Sequence, residues 1–152
     1  MQTAATPVDP ALDEFHRLMN GRLFSLLSWD QLTEFWTKVD RGVGWYLYAV
    51  GEAPPSLAAV SEQVEKFIVE MDVLLRRDHQ ESYCGIVYAD NLDNPSLIKI
   101  YDPHNLGVSC GSSKNPPLPG WIMSRVIPAE LQQKHALPGN RRRWWQNLFN
   151  QD

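Results

Sequence analysis

The sequence contains little of what usually reveals the class of a protein. Only two cysteines, Cys84 and Cys110, occur in 152 residues, too few for the disulfide scaffolds of small secreted domains. No apolar run approaches the ~18 residues of a membrane span. The first ten residues have neither the basic nor the apolar region of a signal peptide. We therefore expect a soluble, cytoplasmic protein with reduced thiols.

Charge is also scarce, and it is unevenly distributed. The net charge is -4 and charged residues make up 21% of the chain, whereas apolar residues make up 43%, which is typical of one globular domain rather than of a disordered chain. Residues 1–72 carry 11 acidic and 5 basic side chains, and residues 73–152 carry 7 and 9. An acidic protein binds phosphate backbones poorly, so nucleic acid is not an expected partner.

Hydrophobic periodicity predicts three helices in the first half of the chain. The first begins near Pro10, after a flexible arm of residues 1–9. Ser28 and Gln31 have the spacing of a capping box at the start of the second. Ser56 is predicted to cap the third, which is the longest. Its apolar stripe comprises Leu57, Val60, Val64, Phe67, Ile68, Met71, Leu74 and Leu75.

Aromatic and β-branched residues predict one strand before the long helix and three strands after it. The four predicted strands are 45–50, 83–89, 96–101 and 121–127. Turn-forming residues at 90–95 predict an antiparallel hairpin. A short helix is predicted from Pro128 through His135, and one or two helical turns over 141–149. The order predicts an α+β domain over 10–152: a mainly antiparallel sheet of about four strands packed by the long helix, with an N-terminal helical pair and a short C-terminal helix.

The most informative segment is the 19-residue stretch 102–120, which has no helix or strand signal. Loops longer than ~12–15 residues in compact domains tend to be functional or disordered. This loop contains Asp102, His104 and Cys110. An exposed Cys110, with His104 as base and Asp102 to orient it, would form a thiol nucleophile. Such pairs are normally assembled from distant segments, which counts against a purely local triad.

The same loop supports two further hypotheses. His79 and Cys84 form one spaced pair and His104 and Cys110 another, and imidazole and thiolate are the ligand types of tetrahedral zinc. The spacings differ from those of structural zinc knuckles, so we expect no cofactor, with zinc at these four residues as the alternative. A glycine-rich stretch resembles a phosphate-binding loop in composition only, because prolines follow where its helix would have to begin.

Aromatic residues are abundant and include six tryptophans. Large rings build a core, or else a partner-binding surface, because tryptophan is enriched at interface hot spots. Near the C-terminus, Arg141, Arg142 and Arg143 precede Trp144 and Trp145. This segment is either an exposed basic face whose rings pack on the domain or a partner-binding tail. These five are the candidate partner-binding residues.

Two functional hypotheses follow. The favoured one is a non-enzymatic binding or accessory protein, which contacts a protein partner or a second copy of itself through the 102–120 loop and the aromatic, basic C-terminus. The alternative is a small metal-binding or Cys/His-dependent enzyme centred on His104 and Cys110. We prefer the first because the sequence yields no complete catalytic constellation, whereas an interaction needs only exposed aromatic rings and an ordered loop.

Overall fold

The computed structural model describes residues 10–106, 118–131 and 139–149. The arm predicted at residues 1–9 lies outside the described residues. The elements in chain order are α1 (Pro10–Met19), β1 (Phe24–Ser25), α2 (Trp29–Thr37), β2 (Tyr46–Ala49), α3 (Ser61–Asp78), β3 (Val87–Ala89), β4 (Leu97–Ile100), β5 (Trp121–Ser124) and α4 (Gly139–Leu148).

The strands form a five-stranded sheet with the order β1-β3-β4-β5-β2, in which every neighbouring pair is antiparallel. The expected α+β class and the β3–β4 hairpin are therefore confirmed. β1 is the strand that the sequence did not predict, because two residues are too few to show an alternating pattern. Hydrogen bonds fix it beside β3: Leu26 N donates to Val87 O at 2.9 Å, and Gly85 N donates to Leu26 O at 2.8 Å.

The long helix begins later than the sequence predicts. α3 starts at Ser61, so the prediction that Ser56 caps it is wrong. Val60 occupies the N-cap position, and its backbone N–H donates to Gln63 Oε1 at 3.0 Å. The side chain of the third helical residue thus satisfies a donor that precedes the helix, which is half of a capping box.

A contact with the sheet accounts for this shift. Ala59 N donates to Trp45 O at 2.7 Å, which holds the segment before α3 alongside the edge strand β2 and outside a helix. Leu57 and Val60, which belong to the predicted stripe, are consequently 80% and 57% exposed. The other six residues of the stripe are buried.

Two strands are shorter than predicted. The strand predicted at 83–89 is interrupted at Gly85, whose φ of 69° lies in the left-handed region, so pairing as β3 starts at Val87. The strand predicted to begin at Trp121 ends at Ser124, whose hydroxyl donates to Val126 O at 2.7 Å and turns the chain.

The helix predicted to begin at Pro128 is wrong in the part that the structure describes. Residues 128–131 are not helical, and residues 132–138 lie outside the described ranges. Leu131 N donates to the hydroxyl of Tyr48 at 2.9 Å. This bond ties the segment to the sheet and gives its backbone a partner other than a helical carbonyl.

Helices cover both faces of the sheet. α2, α3 and α4 pack on one face around the larger core, which includes Trp45, Phe67, Met71 and Trp121. α1 packs on the other face, where a smaller core contains Phe15, Met19, Tyr48, Val50, Leu97 and Ile122. Lys99 Nζ donates to Met19 O at 2.8 Å and so satisfies a carbonyl at the end of α1. In the described ranges, no helix is both long and apolar enough to span a bilayer.

Candidate functional site

Most of the residues singled out from the sequence meet at one end of the sheet. β2 and β4 end where β3 and β5 begin, because Val87 pairs with Ile100, and Trp121 pairs with both Ile100 and Ala49. We call this end, together with the adjoining ends of α3 and α4, the loop end. It comprises residues 49–52, 78–86, 100–106, 118–120 and 139–143.

Arg141 lies at the centre of the loop end and is only 2% exposed. Its Nε and Nη2 donate to Oδ2 and Oδ1 of Asp102 at 3.0 and 2.9 Å. Its Nη1 donates to Asp78 Oδ2 at 2.7 Å. The planar guanidinium matches a carboxylate through two parallel hydrogen bonds. Arg141 therefore fixes α4 both to the last residue of α3 and to the residues that follow β4.

A second arginine completes the charge balance around Asp78. Arg77 Nε and Nη2 donate to its two carboxylate oxygens at 2.8 and 3.0 Å. Hydrogen bonds from Arg77 and then from Arg141 hold the pKa of the Asp78 carboxyl far below its usual range, although burial acts in the opposite direction. Two guanidinium groups and two carboxylates thus form what we call the Arg141 cluster, with residues 77, 78, 102 and 141.

Asp102 has a second role, which is to turn the chain after β4. Its Oδ1 accepts a hydrogen bond from the backbone N–H of His104 at 2.9 Å, and its carbonyl accepts one from Asn105 N, also at 2.9 Å. The ring of His104 is half exposed, with Nε2 at 4.0 Å from Asp78 Oδ2. The predicted orienting role of Asp102 is therefore corrected: it engages the backbone of His104 and the Arg141 guanidinium, not the imidazole.

A cleft of about 330 Å³ lies beside the Arg141 cluster. The residues that follow α3 and begin β3 form one wall, and the residues that follow β4 form the other. We call it the tyrosine cleft. Its lining residues are His79, Tyr83, Cys84, Gly85, Ile86, Tyr88, Tyr101 and Leu106.

A side-chain hydrogen bond from His79 joins the two ends of the segment 79–84, which forms part of the first wall of the cleft. The Nε2 of His79 donates to the carbonyl of Cys84 at 2.9 Å, and its buried ring stands nearly perpendicular to Tyr83, with centroids 6.0 Å apart. A second ring, Trp29, contacts the imidazole at 5.9 Å. Nδ1 is then the remaining polar atom of His79, and no described residue hydrogen-bonds to it.

Cys84 is buried, and burial raises the pKa of its thiol. The neutral thiol is neither the nucleophilic form nor the form that ligates metals, so Cys84 fits the role of a small core residue. The described ranges contain no group of three or more His, Cys, Asp or Glu side chains that could hold a metal ion. The zinc and thiol-nucleophile hypotheses therefore rest on Cys110, which lies outside the described residues.

The tryptophans of α4 pack against the domain. Trp144 lies edge-on to Trp121 at 5.5 Å, and Trp145 lies edge-on to Phe67 at 6.2 Å, so both rings are half buried against the larger core. The packing of these two rings agrees with the interpretation that large aromatic rings build the core. Whether their exposed parts also contact a partner stays a prediction.

The three arginines of α4 differ in their surroundings. Arg141 was a candidate for partner contact, but it is buried because two carboxylates from other elements enclose its guanidinium. Arg142 is exposed, and its Nε lies 3.4 Å from Oε1 of Glu52, three residues after the end of β2. Arg143 is also exposed. Of the three, only Arg142 and Arg143 have exposed side chains.

Sequence reasoning missed the three cleft tyrosines and Asp78. A signal for two of the tyrosines exists in the predicted hairpin: Tyr88 pairs with Lys99, and Tyr101 lies two residues further along, on the same face of the sheet. No local signal marks Asp78, because its partner Arg141 is 63 positions away.

Comparison with known proteins adds no functional assignment. No protein-family model matches the chain, and neither a curated protein nor a solved structure matches it. The function has to be inferred from the geometry of the loop end.

Replacing Arg141 with alanine should be strongly destabilising, because it leaves the buried carboxylate of Asp102 without its counterion and removes one of the two arginines that pair with Asp78. We expect the free energy of unfolding to fall by about 3 kcal/mol in urea denaturation. Arg143→Ala is the matched control, since Arg143 is an exposed arginine on the same helix, and its effect should stay below about 0.5 kcal/mol. Equal effects of the two substitutions would contradict the structural role of Arg141.

The lowered pKa of Asp78 predicts a defined pH dependence. A carboxyl whose pKa is lowered in the folded state stabilises that state at every pH above its unfolded pKa, and this stabilisation is lost as the pH falls towards the folded pKa. The difference in unfolding free energy between the native chain and Asp78→Asn should stay constant from pH 5 to 8 and shrink below about pH 4. A difference that already changes between pH 6 and 7 would contradict the assignment of this pH dependence to Asp78.

The thiol of Cys84 should be unreactive in the folded protein. In a Cys110→Ser variant, Cys84 is the only cysteine left. We expect its reaction with a disulfide reagent at pH 8 to be at least about a hundredfold slower in the folded chain than in urea, because the neutral thiol reacts only after local opening. Rates that differ by less than about tenfold would show an accessible, activated thiol.

Proposed function

We propose that this chain is a non-catalytic binding protein that contacts a protein partner through the loop end. The observation that carries the proposal is the tyrosine cleft and its apolar rim. Tyr83 and Leu106 line the cleft and are 55% and 42% exposed. Apolar side chains exposed around a concavity are typical of interaction sites.

The state of four titratable side chains at the loop end supports binding rather than catalysis. The carboxylates of Asp78 and Asp102 are held by arginines, and one nitrogen of His79 is used by a backbone carbonyl. The Cys84 thiol is kept neutral by burial. General acid–base or nucleophilic catalysis needs groups that can exchange protons with a substrate. These four described side chains at the loop end serve the fold instead.

The exposed arginines of α4 extend this surface. Arg142 and Arg143 lie at the same end of the sheet as the cleft, and Arg142 pairs with Glu52 at the surface. Exposed charges at the rim of an interface mainly affect the rate and specificity of association. We propose that the partner covers the cleft and approaches these arginines. We also propose that the protein acts in the cytoplasm, where Cys84 stays reduced.

Site-specific photocrosslinking in the native cell tests this function. A photoreactive phenylalanine analogue at position 83 or 106 should form a covalent adduct of defined mass with a protein. The same analogue at position 57 is the control, because Leu57 is 80% exposed but does not line the cleft. An adduct of twice the mass of the chain would make a second copy the partner. No adduct at 83 and 106, or the same adduct at 57, would overturn the proposal.

A further inference from the structure

Among the residues that the structure describes, the lining of the tyrosine cleft contains no carboxylate, ammonium or guanidinium group. The charged side chains near the cleft have other partners. Lys99, which pairs with Tyr88 across the hairpin, donates a hydrogen bond to Met19 O. The arginines of the Arg141 cluster form ion pairs with carboxylates. A charged group that entered the cleft would lose hydration without gaining a counterion. The cleft therefore favours an uncharged occupant.

The rings around the cleft are arranged to contact another ring. His79 and Tyr83 form one nearly perpendicular pair, and Tyr88 and Tyr101 form another at 5.6 Å and 78°. Perpendicular pairs present both ring edges and ring faces. An aromatic ring can then contact them edge-to-face or offset-stacked, the two favoured geometries.

Polar atoms without protein partners accompany these rings. In the described part of the chain, the hydroxyls of Tyr83, Tyr88 and Tyr101 make no hydrogen bond, and neither does Nδ1 of His79. A phenol hydroxyl both donates and accepts. These groups match an occupant that is apolar over most of its surface and has one or two polar atoms at its edge.

We propose that the tyrosine cleft holds one tryptophan or tyrosine side chain of the protein partner. This inference rests on the proposed function, because the partner supplies the ring. A protein accounts for the site better than a small molecule, since Tyr83 and Leu106 remain 55% and 42% exposed at the cleft, where a chain attached to the ring would cover them. A volume of about 330 Å³ suits a single large side chain, and buried aromatic anchors dominate the energetics of protein interfaces.

Binding of capped amino acids to the full chain tests the proposal. N-acetyl-L-tryptophanamide and N-acetyl-L-tyrosinamide, added to the ¹⁵N-labelled protein, should shift the amide resonances of Cys84, Ile86 and Tyr101. N-acetyl-L-lysinamide and N-acetyl-L-glutamate should bind at least about tenfold more weakly, because their charges would be desolvated.

A matched pair of variants localises the binding. Leu106→Asp places a carboxylate at the rim of the cleft and should weaken binding of the tryptophan probe at least about tenfold. Leu57→Asp makes the same substitution at an exposed leucine outside the cleft and should leave it unchanged. Both positions are exposed, and an unchanged melting temperature would show that both variants fold.

Three results would overturn the inference: no shifts at the cleft, equal binding of the charged probes, or equal loss of binding in both variants. If crosslinks form at 83 and 106 while the aromatic probes do not bind, the inference fails and the proposed function stands. If the probes bind but crosslinks are absent, the proposed function fails, and with it the assignment of the ring to a protein partner.

Discussion

The buried guanidinium of Arg141, enclosed by Asp78 and Asp102, is the contact on which the rest of the loop end depends. Removing these three charges from water is costly, and only close, complementary geometry offsets that cost. The structure provides it through three hydrogen bonds of 2.7 to 3.0 Å. Because the charges belong to α4, to the end of α3 and to the segment after β4, the ion pairs determine where α4 and that segment lie.

The same contact determines the shape of the neighbouring cleft. His79 follows Asp78 directly, and Tyr101 precedes Asp102 directly, so each carboxylate held by Arg141 is adjacent to a ring that lines the cleft. Rings held in position before a partner arrives lose little conformational entropy on binding. A costly buried ion pair thus fits the proposed binding surface, which would gain more from fixed geometry than from maximal stability.

Local patterns predicted the parts of the fold whose determinants are local. The buried stripe from Val64 to Leu75 and the β3–β4 hairpin follow from side-chain spacing and turn residues. The cap at Ser56 was wrong because Ala59 bonds to the sheet, a tertiary contact that propensity does not include. In the site, the roles of Asp102 and Asp78 depend on an arginine 39 and 63 positions away, a distance that no motif spans.

Aromatic composition could not separate core from interface, because both uses rely on the same large apolar rings. The packing does separate them. Trp45 and Trp121 are buried, and the half-buried Trp144 and Trp145 lie against Trp121 and Phe67. The tyrosines of the cleft differ, since a phenol hydroxyl lets a ring remain at the surface until a partner covers it. The proposed binding surface is therefore assigned to the tyrosines rather than to the tryptophans that the sequence first indicated.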